Sequence, residues 1–284
     1  MVTLSLELLQ QNYVFEATPV SADLGPLHVR FDELTGVTST EVRVSAAINR
    51  GEPVALIGRS GSGKSSVIAH ILGPLAEDLA PMTVPVAAMS SEIVDSPASL
   101  VDHLLGTVAL AAKKAMLVVD TDDASTATVT TRSSRRSGFG DDTDRWLRSG
   151  GSSLATAFFA ETIRWVRGLP TGLVVAVHLT YFDASSRAEV LKYLDTQVDI
   201  PVLSSAAAIE AILQRRVEQY TGIDVPNLDA VLDLDVAGAV LAVYRETGSL
   251  RRALQVCHIA LHEAVGASAD KLSEGHIAAA LSAG

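Results

Sequence analysis

Unbroken apolar runs and apolar residues at helical spacing alternate along the first two thirds of the chain. The runs predict strands buried on both faces, and the spacing of about three to four residues predicts helices between them. We expect strands at 54–57, 83–88, 115–119, 173–177 and 198–202, and helices at 40–49, 64–72, 99–113, 154–166 and 185–194. This order indicates an α/β fold in which helices sandwich a parallel sheet.

The rest of the chain carries helical spacing only, at 206–220, 236–246, 250–265 and 273–281. Such a run of helices without strands predicts a small all-α domain. We therefore divide the chain into an N-terminal segment packed on the core (1–30), an α/β domain (31–203) and a helical domain (204–284).

Residues 124–150 interrupt the α/β pattern with a Ser/Thr/Gly-rich stretch that has no periodicity. A stretch of this length inside a compact domain is either functional or mobile, and we predict a mobile insertion. It is locally basic, because it holds five arginines against three aspartates. DNA and the phosphates of a neighbouring subunit are candidate partners for it, and an ordinary solvent loop is an equal alternative.

The whole chain is acidic, with 33 Asp and Glu against 22 Lys and Arg and a net charge of −11. This charge disfavours general binding to nucleic acid or anionic lipid, so we expect any DNA contact to come through a partner or the 124–150 insertion. The single Cys257 excludes an internal disulfide, and the start of the chain lacks the basic residues of a signal peptide. We expect a cytoplasmic protein with no membrane span.

The strand predicted at 54–57 runs into a full phosphate-loop motif, G-x-x-x-x-G-K-S, before a predicted helix. Its glycines let main-chain amides surround a phosphate, its lysine is suited to the β- and γ-phosphates, and its last serine is suited to Mg²⁺. The motif predicts a site for ATP and Mg²⁺. The residues expected to bind the nucleotide are Gly58, Arg59, Ser60, Gly61, Ser62, Gly63, Lys64, Ser65 and Ser66.

Carboxylates follow the strand predicted at 115–119. Asp120 stands where a phosphate-loop enzyme places the Walker B residue, and we expect it to hold Mg²⁺ together with Ser65. The next position, usually a second carboxylate in hydrolysing enzymes, is Thr121. Asp122 or Asp123 is a candidate to activate water instead, and a solvated acidic loop is an equal alternative.

The strand predicted at 173–177 ends in polar residues. Ligands of open α/β sheets bind at the carboxyl ends of the strands, so Thr180 or His178 is a candidate to orient water near a γ-phosphate. Polar residues that merely end the strand are an equal alternative.

Together these motifs, with the helical segment Gly-Ser-Leu-Arg-Arg-Ala-Leu at 248–254, resemble the AAA+ ATPases, and within them the origin-recognition and initiator group. The resemblance covers about residues 31–284. It implies that Arg251 is the sensor-2 residue at the γ-phosphate, that Thr180 is a sensor-1 candidate, and that residues 272–277 begin the closing helix of a lid domain. By itself, the pair Arg251 and Arg252 is also compatible with an ordinary charged helix face.

The chain departs from the family at three places. Thr121 replaces the catalytic acid, which argues against efficient hydrolysis. No arginine stands where the family has its arginine finger, since Arg187 comes too early. The chain ends after the lid, so we expect no winged-helix domain.

The sequence thus predicts an AAA+-like ATPase that acts as a nucleotide-controlled assembly switch or motor subunit, in a DNA-related or defence system of several proteins. ATP or ADP, further copies of the chain and a partner protein are its expected partners. The main alternative is an ATP-binding scaffold that hydrolyses little or no ATP. A small-molecule kinase or a GTPase is the weaker alternative, because the helical domain is appended to the sheet and no Asn-Lys-x-Asp motif occurs.

Overall fold

The computed structural model describes residues 4–17, 24–37, 40–79, 82–84, 129–131, 174–178, 191–192, 194–224 and 227–283. Its helices are α1 Leu6–Gln11, α2 Phe31–Thr35, α3 Thr40–Asn49, α4 Lys64–Leu79, α5 Ala206–Thr221, α6 Val236–Thr247, α7 Leu250–Gly266 and α8 Glu274–Ala283. Its strands are β1 Val54–Gly58, β2 Met82–Val84, β3 Val129–Thr131, β4 Val174–His178 and β5 Thr196–Asp199. The predicted elements at 99–113, 115–119 and 154–166 lie outside the described residues.

The central sheet has the strand order β4-β1-β5, and both pairings are parallel. Every residue of β1 is buried, as its unbroken apolar run predicts for a strand covered on both faces. In the register of β1 and β4, Gly58 pairs with His178. The carboxyl ends of these two strands therefore lie side by side, where a parallel sheet places its ligands.

Strand β5 begins two residues earlier than the sequence pattern predicts. The main-chain N–H of Thr196 donates to Pro53 O at 3.2 Å, and the strand ends at Asp199. Val198 is its buried residue, with the side chains of its neighbours more exposed. Pro201 has no N–H to donate to a sheet, which explains why the apolar pattern beyond Ile200 does not continue the strand.

A strand also forms inside the predicted insertion, where no regular structure was expected. Strand β3 pairs in parallel with β2, with Met82 opposite Val129 and Val84 opposite Thr131. These three residues thus have regular structure that the sequence pattern did not indicate, while the mobile insertion at 124–150 stays a prediction. A run of β-branched residues favours a strand locally, but three residues are too few to give a periodic signal.

The chain forms two compact units. The first, called here the helical unit, comprises Met1–Thr40, Arg59–Val67 and Ile200–Gly284. In it α6 packs on α5, α7 and α8, and α1 packs on α7 and α5. The second, the sheet unit, comprises Glu41–Gly58 and Ile68–Asp199. The phosphate-loop residues after Gly58 are thus grouped with the helices of the C-terminal third.

The N-terminal segment is fastened to the helical unit by apolar and polar contacts. Leu9 and Phe15 are fully buried, and they sit in and just after α1. From α5, the buried guanidinium of Arg216 donates through Nε to Val14 O at 2.8 Å and through Nη2 to Glu16 O. Residues 4–17 therefore form part of this unit's core, whereas the sequence indicated only that the segment packs on the core.

Candidate functional site

The phosphate loop leaves the end of β1 and turns twice at glycine. Gly61 has φ 72° and Gly63 has φ 99°, backbone conformations that side chains with a Cβ rarely adopt. Gly61 and Gly63 are therefore favoured by the path of the main chain.

Helix α4 begins at Lys64, with the N–H of Val67 donating to Gly63 O at 3.0 Å. The amides before Val67 are at the helix N-terminus, where main-chain N–H groups lack carbonyl partners within the helix and attract anions. Lys64 is nearly buried, at 9% exposure, and its Nζ donates to Arg59 O at 2.7 Å. The main chain of the loop thus holds the Lys64 ammonium at the loop itself.

The hydroxyl of Ser62 is buried and has no hydrogen-bond partner among the described residues. A buried hydroxyl without a partner typically costs about 1–3 kcal/mol, so the loop holds a polar group suited to an additional acceptor. Together with the helix N-terminus and the Lys64 ammonium, it fits an anionic ligand with several oxygen acceptors, such as a phosphate chain.

The two serines after Lys64 have different surroundings. Ser65, the expected Mg²⁺ ligand, is exposed. Ser66 Oγ donates to Leu24 O at 3.3 Å and lies 3.0 Å from Nδ1 of the buried His28. The hydroxyl of Ser66, which the sequence assigned to nucleotide binding, is therefore engaged with the stretch before α2. No sequence signal pointed to His28 at this site.

The start of helix α7 contacts the loop directly. Gly61 O accepts hydrogen bonds from the main-chain N–H groups of Leu250, at 3.0 Å, and Arg251, at 3.4 Å. Ser249 caps the helix, because its Oγ accepts from the N–H of Arg252 at 3.3 Å. The structure thus brings two of the segments that carried the family resemblance, the phosphate loop and residues 248–254, into contact.

The two arginines at the start of α7 have different environments. Arg251 is exposed, and its Cβ lies near Gly61 of the loop. Arg252 is half-buried, and its Nη1 donates to Oε1 of Gln255, one turn along α7, at 3.1 Å. Of the two arginines, Arg251 is therefore the one whose side chain starts beside the phosphate loop.

The remaining predicted site residues, Asp120, Asp122, Asp123 and Thr180, lie outside the described residues. Thr180 follows β4 by two positions, and β4 ends beside β1 at the pair His178 and Gly58. Across the described part of the chain, no three His, Cys, Asp or Glu side chains are grouped to hold a metal ion. Of the two predicted Mg²⁺ ligands, the structure therefore describes only Ser65.

Within the described ranges, no helix combines the length and the apolar character that crossing a bilayer requires.

Comparisons with known proteins give one partial family match and several similar folds. A family model described as ABC transporter matches residues 42–134, about a third of the chain, including the phosphate loop. No match was found among curated proteins.

Among solved structures, ORC1 of Aeropyrum pernix in complex with DNA is similar with a TM-score of 0.57 and 16% identity, over 95% of this chain and 68% of that one. Drosophila ORC bound to DNA gives a TM-score of 0.56 and 12% identity, over 97% of this chain and 65% of that one. The ADP form of Aeropyrum pernix ORC2 gives a TM-score of 0.53 and 16% identity, over 95% of this chain and 72% of that one. At such identities the likeness shows the fold alone, a P-loop ATPase fold similar to that of these ORC structures.

Proposed function

We propose, on the premise that the chain has the fold of origin-recognition AAA+ ATPases, that it binds ATP and that the nucleotide controls its assembly with itself or with a partner protein. The observation that carries this proposal is the docking of α7 on the phosphate loop through Gly61 O. A nucleotide in the loop would lie beside the start of α7. Its γ-phosphate could then favour one position of the helices over another, and only such a differential contact drives a conformational change.

Several groups in and beside the loop have a proposed part in binding. The amides at the start of α4 and the hydroxyl of Ser62 bind phosphate oxygens, and Lys64 places its charge beside the β- and γ-phosphates. Ser65 binds Mg²⁺ directly, and Asp120, which follows the apolar run 115–119, holds the ion together with it. Arg251 reaches the γ-phosphate from α7, so that ATP and ADP have different affinities for the docked position.

The proposal extends to the rate of ATP hydrolysis and the residue that activates water. Thr121 lacks the carboxylate that would activate water, and general-base catalysis typically contributes about 10²- to 10⁴-fold in rate. We propose a slow ATPase in which Asp122 or Asp123 supplies the base. An ATP-binding scaffold without turnover is the second candidate, and the threonine at position 121 is the observation that favours it.

The kind of partner is proposed from the distribution of charge along the chain. With a net charge of −11, the chain as a whole is poorly suited to nucleic acid, whereas its 124–150 stretch is locally basic. Two of the similar structures are, by their descriptions, complexes with DNA. We therefore propose a DNA-related assembly in which contact is made through this stretch or through another protein.

The central claim is tested by calorimetric titration of the Lys64→Ala variant with Mg·ATP. The loss of a charge-assisted bond to phosphate should weaken binding by about 10- to 100-fold. Lys271→Ala is the matched control, because Lys271 is an exposed lysine of the helical unit remote in sequence from the loop. Equal affinities of Lys64→Ala and the parent protein would overturn the proposal.

The assembly switch is tested at the paired arginines. Arg251→Ala should weaken ATP binding by about tenfold, leave ADP binding nearly intact and abolish ATP-dependent self-association in light scattering. Arg252→Ala is the control, because its guanidinium bonds Gln255. A loss in Arg252→Ala alone would show that the sensor register is wrong by one residue, and unchanged behaviour of both would refute the sensor assignment.

A further inference from the structure

The turn between α6 and α7, residues 248–249 and called here the lid turn, contacts the phosphate loop at two glycines. A Cβ on Gly61 of the loop would overlap Oγ of Ser249 and lie 2.9 Å from Cβ of Arg251. A Cβ on Gly248 of the turn would lie 2.6 Å from Cδ and 2.7 Å from Nη1 of Arg59. At Gly61 the close atoms include Cβ of Arg251, whereas at Gly248 they belong to the Arg59 side chain, which a Cβ would push aside.

Arg59 takes part in both halves of this contact. Its carbonyl oxygen accepts from Nζ of Lys64 at 2.7 Å and from the N–H of Ser62 at 3.2 Å. Its side chain lies close to Gly248, at the carboxyl end of α6. A cation near a helix C-terminus is favoured by the helix dipole.

We infer that Arg59 is a positioning residue that couples the lid turn to the Lys64 ammonium, through its guanidinium on one side and its carbonyl oxygen on the other. This inference rests on the proposed function, since it names how the loop transmits nucleotide binding to the helices. The ammonium of Lys64 has three donors. One of these donors binds the carbonyl oxygen of Arg59. A shift of the ammonium toward a phosphate would therefore also move the peptide group of Arg59.

The glycine at 248 distinguishes this contact from an arginine lying by chance on the surface. Gly248 and Gly222 both end helices in the left-handed conformation, with φ of 66° and 68°. A Cβ on Gly222 would meet nothing within 4 Å, whereas one on Gly248 would displace Arg59. Alanine at either position strains the backbone, and the double-mutant cycle described below separates that strain from the displacement of Arg59.

The inference is tested by hydrogen exchange at the amide of Leu250, whose N–H donates to Gly61 O. In protein without added nucleotide, Arg59→Ala and Gly248→Ala should each lower protection of this amide by about three- to tenfold, as expected for one main-chain hydrogen bond. Gly222→Ala should leave it unchanged.

A double-mutant cycle separates coupling from general destabilisation. When Arg59 is already alanine, Gly248→Ala should lower protection by less than it does in the parent, because no side chain remains to be displaced. Gly222→Ala should have the same effect in both backgrounds. Additive effects of Arg59→Ala and Gly248→Ala, or unchanged protection in Arg59→Ala, would overturn the inference.

A second comparison uses Mg²⁺ with a non-hydrolysable ATP analogue. In the parent protein the analogue should change protection at Leu250. In Arg59→Ala, at an analogue concentration that calorimetry shows to saturate the site, protection should no longer respond. A full response in Arg59→Ala would overturn the coupling. If the parent binds no analogue, the proposed function fails, while the measurements without nucleotide still decide whether Arg59 holds the lid turn.

Discussion

Replacement of the buried Arg216 should release the N-terminal segment from the helical unit. The guanidinium is 4% exposed and donates to the main-chain carbonyls of Val14 and Glu16, which follow α1. Its ring contact is with Tyr220, 5.8 Å from the guanidinium carbon. Arg215, the preceding residue of the same helix, is exposed and serves as the matched control.

The expected loss follows from the two hydrogen bonds. A bond from a charged donor contributes about 1.5–3 kcal/mol, and a carbonyl left buried without a partner adds its own desolvation cost. Burial opposes this gain, since it lowers the pKa of Arg216 by disfavouring the charged form. We therefore expect Arg216→Ala to lower the free energy of unfolding of the helical unit by about 2–4 kcal/mol, and Arg215→Ala by less than about 0.5 kcal/mol.

Urea titration monitored by circular dichroism measures both variants against the parent. Limited proteolysis within residues 4–17 is the accompanying readout, and cleavage should be faster in Arg216→Ala only. Arg216→Met retains the packing of the side-chain stem and should recover part of the loss. Equal unfolding midpoints for Arg216→Ala and Arg215→Ala would refute the argument that these bonds fasten the segment.

Three further predictions concern the caps, the sheet and hydrolysis. Ser249→Ala and Ser205→Ala each remove a helix N-cap and should cost about 1 kcal/mol in urea titrations, and only Ser249→Ala should also weaken Mg·ATP binding. Hydrogen bonds from Arg50 and Thr196 lower the pKa of Glu52 from 4.5 to about 2, so its contribution to stability is present above pH 4.5 and is lost as pH falls toward 2. Glu52→Gln should lack that part of the pH dependence, and an unchanged acid profile would contradict it. Steady-state phosphate release should stay below about 10 per second, and one of Asp122→Ala and Asp123→Ala should lower it further.

Local chemistry was enough to predict the phosphate loop and the helices beside it. The motif at 58–65 and the start of α4 at Lys64 follow from glycine placement and a helix signal that neighbouring residues carry. Helices α5 to α7 lie within about two residues of their predicted bounds, because Ser205 and Ser249 cap two of them and glycines end two. The short strand β3 was missed, since three residues give no periodicity.

What the sequence determined by itself is the set of elements and the one motif whose chemistry is contained in consecutive residues. Only the tertiary structure placed Gly61 against Leu250, His28 against Ser66, and Arg216 against the carbonyls after α1. The residues of each of these pairs are far apart along the chain, and most of their bonds involve main-chain groups that every residue carries. The residue types at these positions therefore do not predict such contacts, which form only when packing of the apolar faces brings the segments together.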